Sequence, residues 1–214
     1  MDAIEAIHNR RSIRKYREDP VPFELIGNIL DAGLAAPSAG NLQDWYFIFV
    51  TESDIRKKIA EACVQQYWMQ DAPVHIVVCC QPNRVKKFYG EKGEKTYSVQ
   101  DCAAAIENML IAATAQGLGS CWIGAMNEEM MRNEMGIPPN VNVQGVITIG
   151  YAGETPESPI KNAMENKVFV ERWGGKLRDR ASYMGYYSEH VEKAVKKGKE
   201  MFKEAMKKVR EKSR

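Results

Sequence analysis

Residues 98–126 read SVQDCAAAIENMLIAATAQGLGSCWIGAM, and this run decides the fold. Its first part is dense in alanine, apolar on most sides and free of proline, so it predicts a helix over 98–118. A helix apolar nearly all round is buried, in a core or between subunits. The opening SVQD fits a capping box, with the Ser98 hydroxyl taking the Asp101 amide and the Asp101 carboxylate reaching back. Gly117 and Gly119 end the helix. CWIGAM (121–126) follows as a strand, interrupted at Gly124 as expected where a ligand approaches backbone. The G-x-G here follows a helix instead of opening one, so it is not a dinucleotide fingerprint.

Outward from this centre, the chain alternates helices and strands. Residues 2–9 read as a short helix, and Pro22 opens a second that runs to about Ala36, where Pro37 stops it. WYFIFVT (45–51), VHIVVCC (74–80), NVQGVITIGYAG (142–153) and VFVERW (168–173) read as strands, the second fully buried. Residues 53–66 read as a helix. PNRVKKFYGEKGEKTY (82–97), polar and lysine-rich with two glycines, reads as a mobile surface segment.

Bulk properties narrow the function. With 214 residues, 44% hydrophobic and 27% charged, the chain fits one soluble domain or one subunit of an oligomer. A net charge of +2 does not by itself suggest nucleic acid as a partner. No apolar run approaches a membrane span, and MDAIEAIHNRR carries no secretory signal, so a cytoplasmic location is expected. The five cysteines, an odd number with no CxxC pair, read as reduced packing residues. His8, His75 and His190 lack ligand spacing, so no metal site is expected.

Residues 189–214 differ in character. Ten Lys or Arg against five Glu give this stretch a net +5. Val191, Val195, Met201, Phe202, Ala205, Met206 and Val209 recur at helical spacing. This is a basic amphipathic helix, read as packing on the protein's own dimer; membrane or nucleic-acid docking is the other use of such a helix.

Three segments carry candidate chemistry. In RRSIRKY (10–16), an extended chain projects Arg10, Ser12 and Arg14 to one side, two guanidinium groups and a hydroxyl suited to phosphate. Equally, Arg10 and Arg11 can complement the carboxyl end of the first helix. APSAGNLQDW (36–45) is a tight turn where backbone can approach a ligand, or an ordinary helix-to-strand turn. GLGSCWIGAM (117–126) is the third, a backbone that a ligand can approach at Gly124, or a helix stop plus a bulge. No Ser-His-Asp, Cys-His or paired-carboxylate arrangement stands out.

Together, and in this order, the segments resemble the nitroreductase family. RRSIRKY is similar to its Arg-x-Ser-x-Arg segment and PSAGNLQDW to its Pro-Ser-Ala-Gly-Asn-x-Gln-x-Trp turn. VQDCAAAIENMLIAATAQGLGSCWIGA resembles its central helix and following turn, and VITIGYAGE its late strand. The resemblance covers residues 1 to about 178, leaving 179–214 as a basic C-terminal extension. It implies an α+β fold, a mixed central sheet flanked by helices, and an intertwined homodimer with FMN at the subunit interface. Chemistry would be carried by FMN, with NADH or NADPH as co-substrate and ping-pong turnover to a nitroaromatic, quinone, flavin or enone. The alternative is an FMN-binding storage or regulatory protein with little turnover.

Carried over, Arg10, Arg11, Ser12 and Arg14 would hold the FMN phosphate and ribityl chain. Pro37, Ser38 and Ala39 of the partner subunit would line the ring, with Asn41 nearby. The Gly124 and Ala125 amides would face its N5/O4 edge, Gln65 would point to the pyrimidine ring, and Lys161 would add a phosphate contact. The chain departs from the pattern at Asp44, usually proline, at Trp68, lysine in some relatives, and in SPIKNAMENK, which replaces a segment rich in Arg and Pro.

Overall fold

The computed structural model describes residues 1–176. The basic helix expected over 189–214 lies outside the described residues. The chain divides into two compact units, Met1–Ser158 and Pro159 onward.

The first unit is built on a four-stranded sheet: β1 (Trp45–Val50), β2 (Val74–Cys80), β3 (Gly119–Ile123) and β4 (Asn142–Gly150), in the order β1-β2-β4-β3. Every pair is antiparallel. The parallel element is a single bridge, Ser12 to Ser120, at the β3 edge. All seven residues of β2 are buried, because both faces of the sheet are covered.

Alternation along the strands sorts the core into two layers. Ile76, Val78, Cys80, Ile147 and Ile149 face one way, onto α2 (Phe23–Leu34) and α5 (Ser98–Ala115). Val77, Cys79, Val146, Cys121 and Ile123 face the other, onto α3 (Ser53–Ala62) and α6 (Glu128–Met135). Each fully buried aliphatic side chain contributes about 1.5–3 kcal/mol. Helix α2 approaches α5 closely at Gly33, where a Cβ would lie 3.0–3.1 Å from the Met109 side chain. All five cysteines are buried and free. No helix among the described residues is long and apolar enough to cross a membrane.

The structure departs from the sequence reading in several places. Residues 82–97, expected as a mobile surface segment, form α4 (Asn83–Lys92) and a wider turn, Gly93–Tyr97, that runs into α5. Buried Val85 anchors the segment, and ion pairs brace it: Lys86 to Glu91 and Glu94, and Lys95 to Glu91 one turn away. Its two glycines serve different ends: Gly90 takes a positive φ of 62° within α4, and a Cβ at Gly93 would sit 2.8 Å from the Val85 carbonyl oxygen.

Because the helix is already running at Tyr97 (φ −69°, ψ −43°), no capping box forms at Ser98. The Ser98 hydroxyl donates to the Gly93 carbonyl, and Asp101 turns elsewhere. In the second unit, VFVERW is a tight turn instead of a strand. The Val170 amide donates to the Gly175 carbonyl at 3.0 Å, with Glu171 and Gly174 at positive φ. The Gly174–Gly175 pair folds the chain back, and the turn closes on itself without a ladder.

Candidate functional site

The N-terminal helix α1 (Ala3–Asn9) starts at Asp2, whose side chain accepts the Glu5 amide. Its carboxyl end is closed by the Arg11 guanidinium, which donates to the His8 and Arg10 carbonyls at 2.8 Å each and also meets the Ser158 hydroxyl. Of the two arginines, Arg11 therefore takes the helix-closing role. The chain then runs along the β3 edge, where the Ile13 amide donates to Ser120 at 3.0 Å. Ile13 packs on Gly119, where a Cβ would come within 2.9 Å of it. The Glu154 carboxylate accepts the Arg14 and Lys15 amides at 2.6 and 3.1 Å. The backbone of residues 12–15 is thus pinned to β3 on one side and to Glu154 on the other.

Of the three alternate side chains, Arg10 and Ser12 share one space, and Arg14 does not line it. Arg10 and Ser12 line an open cavity of about 380 Å³ with Glu107, Leu110, Trp122, Gly124 and Gln144. Arg10 lies 3.8 Å from the Glu107 carboxylate, a stretched and partly exposed pair. Arg14 lies over the Trp68 ring at 5.9 Å and, among the described residues, enters no ion pair. Cys121 reports the local field: burial pushes its thiol up, while Arg14, a Ser12 hydrogen bond and Arg10 pull it down. The cluster is therefore cationic, rigid in its backbone and open towards solvent.

The turn at 37–41 is a separate construction. Ala39–Asn41 form a short 3-10 turn, with Gly40, Asn41 and Gln43 all at positive φ. The Ser38 hydroxyl accepts the Gln43 amide at 3.0 Å, and the Asn41 side-chain oxygen accepts the Gln43 side-chain amide at 3.0 Å. From outside the turn, the Ala39 amide donates to both oxygens of Asp101, at 3.0 and 3.1 Å. A Cβ at Gly40 would fall 2.6 Å from the Tyr89 hydroxyl. Ala39 and Asp101 border a second cavity of about 320 Å³ with Tyr89, Tyr97 and Gln100.

Two buried acids lie beneath this turn. Burial raises the Asp101 pKa, against the pull of the Ala39 amide, and nearby Asp44 raises it further. Asp44 is 1% exposed, and burial pushes its carboxyl up as well. Its two oxygens have no partner at hydrogen-bonding geometry among the described residues; Ser98, which pulls the carboxyl down against burial, donates its hydroxyl to Gly93.

The other expected residues fall as follows. Gln65 is exposed at φ +56° just past α3, which ends at Ala62 and not at residue 66. The Arg14–Trp68 contact brings this stretch towards the cationic row. Gly124 follows β3, which ends at Ile123, so it does not interrupt the strand. It borders the first cavity, and a Cβ there would meet nothing within 4 Å. Ala125 is exposed beside it. Lys161 belongs to the second unit and is exposed.

Within one chain, the Arg10–Ser12 row and the Ala39 turn border different cavities. Sequence reasoning missed Glu107, Trp122 and Gln144 at the first cavity, and Asp101 and Tyr89 at the turn. A usable signal existed for three of them. Glu107 breaks the alanine-dense stretch of α5, and Trp122 and Gln144 stand out in otherwise small or aliphatic strands.

Comparison with known proteins finds relatives over most of the chain. The Nitroreductase family model matches residues 7–68 and 63–151. A protein of Methanothermobacter thermautotrophicus named NADH dehydrogenase/NAD(P)H nitroreductase is 38% identical over 178 residues, covering 81% of this chain and 88% of its own. A Bacillus subtilis FMN reductase (NAD(P)H) is 30% identical over 166 residues, covering 72% of this chain and 67% of its own. The solved structure of an FMN-dependent nitroreductase from Clostridium difficile superposes with a TM-score of 0.67 at 27% identity, over 79% of this chain and 99% of that one.

Proposed function

The chain belongs to the nitroreductase family, and from that premise we propose that it is an FMN-dependent oxidoreductase that takes hydride from NADH or NADPH and reduces a small acceptor. The observation that carries this reading is the cationic row whose first two members, Arg10 and Ser12, line the open cavity. Arg10 is loosely paired, Arg14 enters no ion pair among the described residues, and the Ser12 hydroxyl stands between them in sequence. A phosphate dianion suits such donors, because guanidinium groups bind it in charge-assisted pairs and stay protonated. The donor set therefore fits FMN.

When bound, FMN supplies the hydride-accepting and electron-donating centre. The chain's own residues bind and orient it. Arg10, Ser12 and Arg14 hold the phosphate end. The Gly124 and Ala125 amides face the ring edge, where Gly124 leaves backbone open to approach. Gln65 serves the pyrimidine end. Pro37, Ser38 and Ala39, with Asn41, cover one ring face from a second copy of the chain. That last assignment is supported by the separation of the two cavities, since one chain alone offers each half of a site to a different space. The working unit is accordingly a homodimer. Nicotinamide and acceptor take turns at the remaining open face, which gives ping-pong turnover to a nitroaromatic, quinone, flavin or enone. A cytoplasmic setting, where NADH and NADPH are made, suits this chemistry.

The purified protein is expected to be yellow, dimeric by sedimentation, and to release one FMN per chain on denaturation. NADH or NADPH added without oxygen should bleach the visible band. A colourless protein that cannot be reconstituted with FMN, or that prefers FAD, refutes the proposal.

A further inference from the structure

We propose that Asp101 is a positioning residue for the flavin: its carboxylate, carried on α5, takes the Ala39 amide and holds the 37–41 turn in the shape that receives the ring. This rests on the FMN reading above.

The turn needs an external hold. Gly40, Asn41 and Gln43 all sit at positive φ, and two of the three are not glycine. The two non-glycine residues are strained there and persist only where the surroundings over-determine them. The bonds inside the turn join neighbours: Asn41 amide to Ser38 carbonyl, Leu42 amide to Ala39 carbonyl, Gln43 amide to Ser38 hydroxyl. They set its shape but not its place. Its place is set by Asp101, whose two oxygens straddle the Ala39 amide, and by Tyr89 packed on Gly40. Asp101 is 6% exposed and sits in the first turn of an 18-residue helix, so it moves little.

The ordinary role for an acid at this point of a helix is absent. The chain is helical from Gly93 through Ser98, so the Asp101 carboxylate has no helix start to cap. Among the described residues Asp101 also enters no ion pair. A buried acid without a cation is costly, and here its strength as an acceptor is directed at one amide. That amide belongs to the residue expected against the ring.

The test compares Asp101→Ala, Asp101→Ser and Asp101→Asn with wild type in the full chain, stripped of flavin and titrated with FMN and with riboflavin. Flavin fluorescence gives the affinity and visible circular dichroism the ring environment. The contact is at the ring end, so Asp101→Ala should weaken both flavins by the same factor, at least about tenfold, and change the visible spectrum. Asp101→Ser, too short to reach the amide, should behave alike in a less disturbed core. Asp101→Asn keeps an acceptor oxygen and should restore the wild-type spectrum. If the Ala or Ser variant binds both flavins with wild-type affinity and spectrum, whatever its melting temperature, the proposal is overturned. A loss confined to FMN also overturns it, since it would place the effect at the phosphate. Wild type that binds neither flavin refutes instead the functional reading beneath it.

Discussion

Replacing Arg14 by alanine isolates the phosphate end of the site. In the free protein the Arg14 side chain is exposed, and its one side-chain contact among the described residues is the Trp68 ring at 5.9 Å. An exposed cation–π contact is worth about 0.5–1 kcal/mol. The hold of Glu154 on residue 14 runs through the backbone amide, which alanine keeps. Arg14→Ala should therefore change the stability of the flavin-free protein by no more than about 1 kcal/mol. Binding is different. A charge-assisted hydrogen bond to phosphate is worth about 1.5–3 kcal/mol, a loss of roughly 10- to 150-fold in FMN affinity. Riboflavin has no phosphate and should lose much less. Charge attraction at an exposed site is screened by salt, so the FMN deficit should also shrink as ionic strength rises. Paired titrations of wild type and variant with both flavins, at low and high salt, measure all of this. Equal losses for FMN and riboflavin would refute the phosphate assignment and make Arg14 a structural residue resting on Trp68.

Glu107 is a carboxylate in the cavity assigned to the phosphate, 3.8 Å from Arg10 and 49% exposed at its side chain. Glu107→Gln should tighten FMN binding slightly, by up to about fivefold for a screened surface pair worth about 1 kcal/mol at most, and leave riboflavin unchanged; weaker FMN binding would mean that Glu107 positions Arg10. Asp44 gives a pH signature. Burial holds its folded-state pKa above the unfolded one, so the native state binds the proton more tightly between the two. Stability from this group is then highest below the ordinary carboxylate range and falls as pH rises towards the raised value. Asp44→Asn removes that fall, so denaturant-derived stabilities of variant and wild type should diverge in the variant's favour with rising pH, by at most about 1.4 kcal/mol per pH unit. Parallel curves would show that Asp44 does not titrate differently on folding.

Much of this fold was legible because apolar runs and glycine stops are local signals. VHIVVCC is seven residues with no charge, and it became the strand buried on both faces. The alanine-dense run became the helix that covers the sheet. The segment 82–97 was not legible, since composition cannot show that Val85 finds a buried place or that Gly93 is a packing glycine. VFVERW has strand-forming residues, but a strand also needs a neighbour to pair with, and Gly174–Gly175 turn the chain back on itself. The cationic row was legible as a spacing, Arg10-x-Ser12-x-Arg14, because an extended chain sends alternate side chains one way. Which arginine closes the first helix was not, since Arg10 and Arg11 are equally placed in sequence and only the fold turns Arg11 onto the His8 carbonyl.

Asp101 shows why the second half of the site was harder to read. Ser98-x-x-Asp101 has the same letters whether a helix begins at Ser98 or passes through it. What decides is the conformation of Tyr97, and that depends on Val85, Gly93 and the ion pairs upstream. Once the helix is continuous, Asp101 is released from its own backbone and can serve a segment 62 residues away. Glu107 lies six positions on, about 9 Å further along the axis and roughly a third of a turn around it, given 1.5 Å and 100° per residue. One side chain therefore reaches the cavity beside Ala39, and the other reaches the cavity beside Arg10. In an otherwise apolar helix these two acids look like isolated interruptions. If each flavin site takes its cationic row from one chain and its turn from another, α5 ends up serving two different sites. No pairwise spacing within a single sequence could then have joined Arg10 to Ala39, because the two meet only after a second copy is added.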